Sequence, residues 1–191
     1  MRQLLVIIAL VGAFGFARAA DNPALKTNSV ALGEPGTLQI LSPRDWTFSY
    51  TNLNQPDHAL TVELHSVSNS VVIRFFIRWD GFEGSSAKPT ASDMSKIVSN
   101  NVVTQYLPVA VEKTVTLEKL HGPAVIGTFA RITDSTWTPM VKNTYPNLTD
   151  GMFRCGNIWG NFNIVTFGKD GPLFKDALKV LESMRRKPGN S

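Results

Sequence analysis

From Val71 to Asp80 every second residue is apolar. The odd positions are Val71, Ile73, Phe75, Ile77 and Trp79, while the even positions are Val72, Arg74, Phe76, Arg78 and Asp80. A period of two sends successive side chains to opposite faces. The stretch therefore reads as a strand with one face in a core and one of mixed polarity. Ala59 to Ser66 reads as a second strand, and Ser68-Asn69-Ser70 between them is a turn signal. The two make a hairpin.

The rest of the chain supplies partners for it. Thr37 to Leu41 is a short strand, broken by Ser42-Pro43-Arg44-Asp45 before Trp46, Phe48 and Tyr50 begin another. After a Gly/Ser/Pro loop, Thr90 or Ser92 caps a helix running to about Leu107, with Met94, Ile97, Val98, Val102 and Tyr106 as its apolar stripe and Pro108 as its stop. Thr90 and Asp93 have capping-box spacing. Thr114 to Leu120 and Ala124 to Thr133 form a second hairpin across His121-Gly122-Pro123. Trp137 to Leu148, with Pro139 and Pro146, reads as irregular. Met152 to Cys155 is extended, Gly156 and Gly160 either divide it from the next strand or mark a bulge, and Asn161 to Phe167 is the last strand. Leu173 to about Arg186 is a second helix, entered through Pro172.

The N-terminus bears on location. Arg2 precedes an apolar run from Leu4 to Val11, and Ala17-Arg18-Ala19 offers small residues at a cleavage site. That is the layout of a secretory signal over residues 1–19, cut after Ala19. Next come a polar leader (20–36), one domain (37–187) and a short tail (188–191). The expected location is the periplasm or the medium. No later apolar run approaches the roughly 20 residues of a membrane span. The formal net charge of +4 loses Arg2 and Arg18 with the signal, and the only dense basic cluster is Arg185-Arg186-Lys187 near the end. Cations are favoured at a helix C-terminus, so no nucleic-acid partner is expected. Cys155 is the sole cysteine, which excludes an internal disulfide, and its apolar neighbours read as burial.

Side chains that carry chemistry are sparse. Glu63 and His65 share one strand face, and His58 or Asp57 lies just upstream, which offers ligands for zinc or copper. No HExxH pair accompanies them, and polar residues on an exposed face account for the same pattern. Cys155 as a nucleophile conflicts with its apolar surroundings. Asp80 and Glu83, the carboxylate pair a glycosidase would need, sit where loop acids commonly serve solubility. Gly-x-Ser-x-Gly and phosphate-binding glycine loops are absent from the sequence. No catalytic residue and no cofactor is expected. The aromatic set is more informative. Trp137 lies with Met140, Tyr145 and Pro146 in the irregular segment, which either presents an apolar, partly wet surface to a partner or folds back over a sheet edge. Phe82, in the loop from Gly81 to Pro89, joins Trp137, Met140 and Tyr145 as a candidate partner contact.

The element order, with Ser42-Pro43-Arg44-Asp45-Trp46 near the start and Ala177-Leu178-Lys179-Val180-Leu181-Glu182-Ser183-Met184 near the end, resembles the PsbP-like (DcrB-like) superfamily. The resemblance covers roughly residues 37 to 186. It implies an α+β fold, an antiparallel sheet with helices packed on it as an α-β-α sandwich. It also implies an accessory or partner-binding role without a shared catalytic centre. The reading is thus a secreted or periplasmic, non-enzymatic binding domain. A metal-dependent or hydrolytic enzyme around His65, Glu63 or Cys155, or a small-ligand binder, stands as the alternative.

Overall fold

A computed structural model describes residues 24–33, 35–53, 59–79, 87–139 and 144–188. The expected signal, His58, Phe82 and Met140 lie outside the described residues, as do Asp57, Asp80 and Glu83. The chain runs β1 (Leu25–Ala31), β2 (Thr37–Pro43), β3 (Thr47–Leu53), β4 (Ala59–His65), β5 (Val71–Arg78), α1 (Ala91–Asn101), β6 (Leu117–His121), β7 (Ile126–Thr133), β8 (Asn147–Cys155), β9 (Ile158–Thr166), α2 (Pro172–Glu182) and β10 (Arg185–Lys187). A seven-stranded antiparallel sheet has the order β3-β4-β5-β9-β8-β7-β6, and a three-stranded sheet the order β1-β2-β10. The fold is α+β, with helices on both faces of the large sheet.

The alternation in β5 does what its period requires. Val71, Ile73, Phe75 and Ile77 are buried, while Arg74, Phe76 and Arg78 are exposed. The odd set joins Leu60, Val62, Leu64, Phe153, Phe162 and Ile164 in the main core, which α2 closes with Phe174, Ala177, Val180 and Leu181. Val30, Leu38 and Ile40 of the small sheet enter the same core. On the opposite face, α1 lays Met94 and Val98 over Ala130, Met152 and Trp159. Thr90 caps α1 and Asp93 completes the reciprocal bond, as the spacing predicts.

Four expectations are corrected. Residues 25–31, read as part of a polar leader, form β1. Only Val30 of that strand is buried, so burial leaves almost no sequence signature there. The second helix stops at Glu182, and Arg185–Lys187 form β10 against β2 instead of extending it. In the segment read as irregular from Trp137 to Leu148, the described residues 137–139 and 144–146 stay outside regular structure, but β8 already begins at Asn147 and runs unbroken to Cys155. Gly160 does not separate strands. It sits inside β9, where a Cβ would lie 1.9 Å from the Phe76 carbonyl oxygen, so close backbone approach requires glycine.

Candidate functional site

A cleft of about 370 Å³ opens on the α1 face of the large sheet. Its floor is one register row. Ile132 of β7 faces Leu148 of β8, and Leu148 faces Val165 of β9. Further along the strands α1 covers that face. Past Asn101 the helix loosens into a π turn, Val102–Tyr106, and then a 3-10 turn, Leu107–Val109, that contains Pro108. Proline lacks the N–H that a regular helix would use there, so the chain leaves the sheet. Tyr106 and Val109 thereby become one wall of the cleft instead of a lid over it.

The opposite wall is Trp137, Thr144, Tyr145 and Pro146. Hydrogen bonds hold this segment where regular structure does not. Asp134 Oδ1 accepts from the Thr136 amide and hydroxyl, both at 2.7 Å, and these bonds keep the Asp134 carboxyl below its ordinary pKa. The Asp134 amide donates to the Pro146 carbonyl, and Ser135 donates to Val109. Trp137 Nε1 donates to Thr144 Oγ1 at 3.1 Å, and the Tyr145 hydroxyl to the Asn69 carbonyl at 2.7 Å. The Tyr145 and Trp137 rings flank Phe167, with centroids 4.9 and 6.1 Å from its own, yet Phe167 is 52% exposed. The result is an aromatic wall whose named polar tips are already bonded within the chain.

Beside the floor runs a polar row. Register sets Glu63 of β4 against Arg74 of β5, Arg74 against Asn163 of β9, and Asn163 against Asp150 of β8. Arg74 Nε donates to Glu63 Oε1 at 2.6 Å, and His65 Nε2 lies 3.3 Å from Glu63 Oε2. Burial would raise the Glu63 pKa, but Arg74 and His65 outweigh it and bring it down. Glu63 and His65 therefore do meet, as their spacing implies, with an arginine as the third member. A cation held at Glu63 would compete with that guanidinium. At the inner end Asn163 donates to Asp150 Oδ1 at 2.7 Å. Asp150 is buried, and desolvation lifts its pKa to about 6 against that bond. Burial, with the Asp150 charge adding to it, also raises the Tyr106 phenol above its ordinary value.

Of the candidate partner contacts, Trp137 and Tyr145 share the cleft wall. Tyr106, Arg74, Asp150 and Phe167 were not among the sequence candidates. Tyr106 was legible only as a core position, and Asp150 only once β8 is known to start at Asn147. Cys155 is buried, with Sγ 3.7 Å from the Met184 carbonyl oxygen, and burial raises its pKa, so the thiol is held protonated. Trp159, 9% exposed, packs under α1 with the Arg78 guanidinium 5.6 Å from its ring centre. Among the described residues no helix is long and apolar enough to cross a membrane.

No family model matches the chain, and no curated protein matches it in sequence. In three dimensions it is similar to the solution structure of cyanobacterial PsbP (CyanoP) from Synechocystis. The TM-score is 0.51 and the identity 12%, over 92% of this chain and 100% of that one. At that identity the likeness speaks to architecture. The order of strands and helices along this chain is that of a PsbP-like fold.

Proposed function

We propose that this chain is an exported accessory domain, without catalysis of its own, that binds a partner protein through the cleft walled by Trp137, Tyr145 and Tyr106. The observation that carries this reading is the state of that wall. Its rings are fixed by bonds from Trp137 Nε1 and the Tyr145 hydroxyl to chain atoms, while an apolar floor and Phe167 stay open beside them. Aromatic side chains that are already rigid lose little entropy on binding, and such residues dominate interface energetics. The PsbP-like fold supports the reading, since proteins of that kind serve as accessory modules. A fold does not by itself name a function, so the cleft has to carry the weight.

Export is tested by the N-terminus of the recovered protein. It should begin at Ala20 and partition with the extracytoplasmic fraction; an intact Met1 in the cytoplasm refutes export. Partner binding is tested by affinity capture from an envelope extract with the wild type, Trp137→Ala and Phe76→Ala. Phe76 is 41% exposed on the same sheet face but outside the cleft. One protein should be retained by the wild type and by Phe76→Ala and lost with Trp137→Ala, at unchanged circular dichroism. Equal retention by all three removes the cleft from the interaction.

A second reading is a small apolar ligand, favoured by the volume of the cleft. About 370 Å³ lies within the range of small-molecule sites. Native mass spectrometry of the purified chain separates the two. A bound small mass that Trp137→Ala releases would favour this reading over a protein partner.

A further inference from the structure

The large sheet ends in two strands of opposite character. One edge is β6, five residues long, with sequence Leu-Glu-Lys-Leu-His. Its Glu118 is bonded to Arg131 at 2.5 Å, and its Lys119 reaches Ser95. Short length and charge are the usual means by which a sheet edge avoids pairing with another chain. The other edge, β3, has neither. Thr47–Leu53 reads Thr-Phe-Ser-Tyr-Thr-Asn-Leu, seven residues with no charge, proline or glycine. It is paired with β4 along its whole length, from Thr47 against His65 to Leu53 against Ala59. Among the described residues β3 has no ladder partner on its outer side. Thr47, Ser49, Tyr50 and Thr51 are exposed, Tyr50 by 52%. Every second residue of such a strand turns its N–H and C=O outward.

We propose that β3 pairs with β3 of a second copy of this chain, antiparallel about a twofold axis, joining two large sheets edge to edge. Three observations select a second copy as the occupant. An uncharged strand meets no like-charge repulsion from itself, whereas recognition of a charged foreign strand would need complementary charge that β3 lacks. The strand is also self-complementary. A twofold centred on Tyr50 sets Ser49 opposite Thr51 of the partner subunit and Tyr50 opposite its own copy, so hydroxyl meets hydroxyl on one face and ring meets ring on the other. Phe48, 6.3 Å from Tyr50, extends that aromatic face inward to the core. Finally, the assembly closes. A twofold contact consumes both β3 edges, and the edges of the two large sheets left over are the charged β6 strands, so pairing through the large sheets stops at two. One seven-residue ladder buries well under the roughly 1,200 Å² at which stable interfaces begin, so the dimer is a weak one. The cleft lies on β5, β7, β8 and β9 and stays open in it.

The test is sedimentation of the processed chain from about 10 μM to about 1 mM, a span that covers weak interfaces. The wild type should rise toward twice the monomer mass with concentration. Thr51→Lys, which places a charge at the pairing edge, should weaken association at least tenfold at an unchanged melting temperature. A wild type that stays monomeric throughout overturns the proposal. So does a dimer indifferent to Thr51→Lys, or growth beyond two copies. If Thr51→Lys does not fold, amide exchange in the wild type decides. Protection of β3 that grows with protein concentration supports the pairing, and protection independent of concentration refutes it.

Discussion

Asp150 and Glu112 are two carboxyls that folding treats in opposite ways. Asp150 sits under Tyr106, bonded to Asn163, with Arg74 one register step beyond. Burial raises its pKa from 3.8 to about 6. A raised folded pKa means the folded chain keeps a proton that the unfolded chain has already lost. The contribution of Asp150 to stability is therefore most favourable below about pH 4, declines as pH rises to about 6, and stays lowered above that. The shift is worth about 3 kcal/mol at pH 7. Asp150→Asn should raise the melting temperature by several degrees at pH 7.5 and flatten its dependence between pH 4 and 6. An unchanged or lower value at pH 7.5 would mean the carboxylate is better solvated than its burial implies. Glu112 runs the other way. Burial alone would push it up, but its bonds to Lys169 and to the Thr133 amide and hydroxyl hold it at about 2. The stability it gives is complete above about pH 4.5 and is lost as pH falls toward 2. Glu112→Gln should therefore lower the melting temperature at pH 7 and leave it unchanged at pH 2.

At the next scale, β8 shows how much one position can fix. Gly151 faces Phe162 across the ladder, and a Cβ there would lie 2.4 Å from the Phe162 ring and 2.7 Å from Phe129 Cβ. Those two rings make an edge contact at 6.2 Å, and both belong to the buried aromatic centre. Gly151→Val should cost at least about 3 kcal/mol, since overpacking of this kind adds to the displacement of a ring. Chemical denaturation measures it, and a cost below about 1 kcal/mol would show that Phe162 has room to turn. The elements that sequence exposed are those whose own pattern decides them. β5 alternates, α2 repeats its stripe, and α1 carries its cap at Thr90. The elements it hid are those decided by neighbours. β1 has one buried residue and exists because β2 pairs with it from Leu25 to Ala31. β10 is three basic residues held by the β2 ladder and by Arg186 donating to the Pro35 carbonyl. For the same reason the cleft was half legible. Trp137 and Tyr145 stood out as aromatics in a proline-bearing stretch. Arg74, Asp150 and Val165 become its neighbours only through register.

Across the whole molecule the question is whether two sheets make one cooperative unit. The small sheet shares no strand with the large one, and one link between them is the end of α2. Ser183 Oγ accepts from the Leu41 amide at 2.9 Å and donates to the Val180 carbonyl at 2.7 Å, tying β2 to the helix. Next to it the Met184 carbonyl covers Cys155 on β8. Val30, Leu38 and Ile40 lie in the same core as Phe75, Phe153 and Phe162, so peeling the small sheet away would strip the large one. Shared burial of this extent favours all-or-none unfolding. Cys155 turns that into a measurement, because its thiol can be reached only if the α2 end and β10 leave the sheet. Labelling of Cys155 by an aromatic disulfide reagent should proceed at the free energy of global unfolding and track it through denaturant. Should labelling run faster than global unfolding allows, the small sheet opens separately, and the thiol would then be open to oxidation while the cleft is still folded.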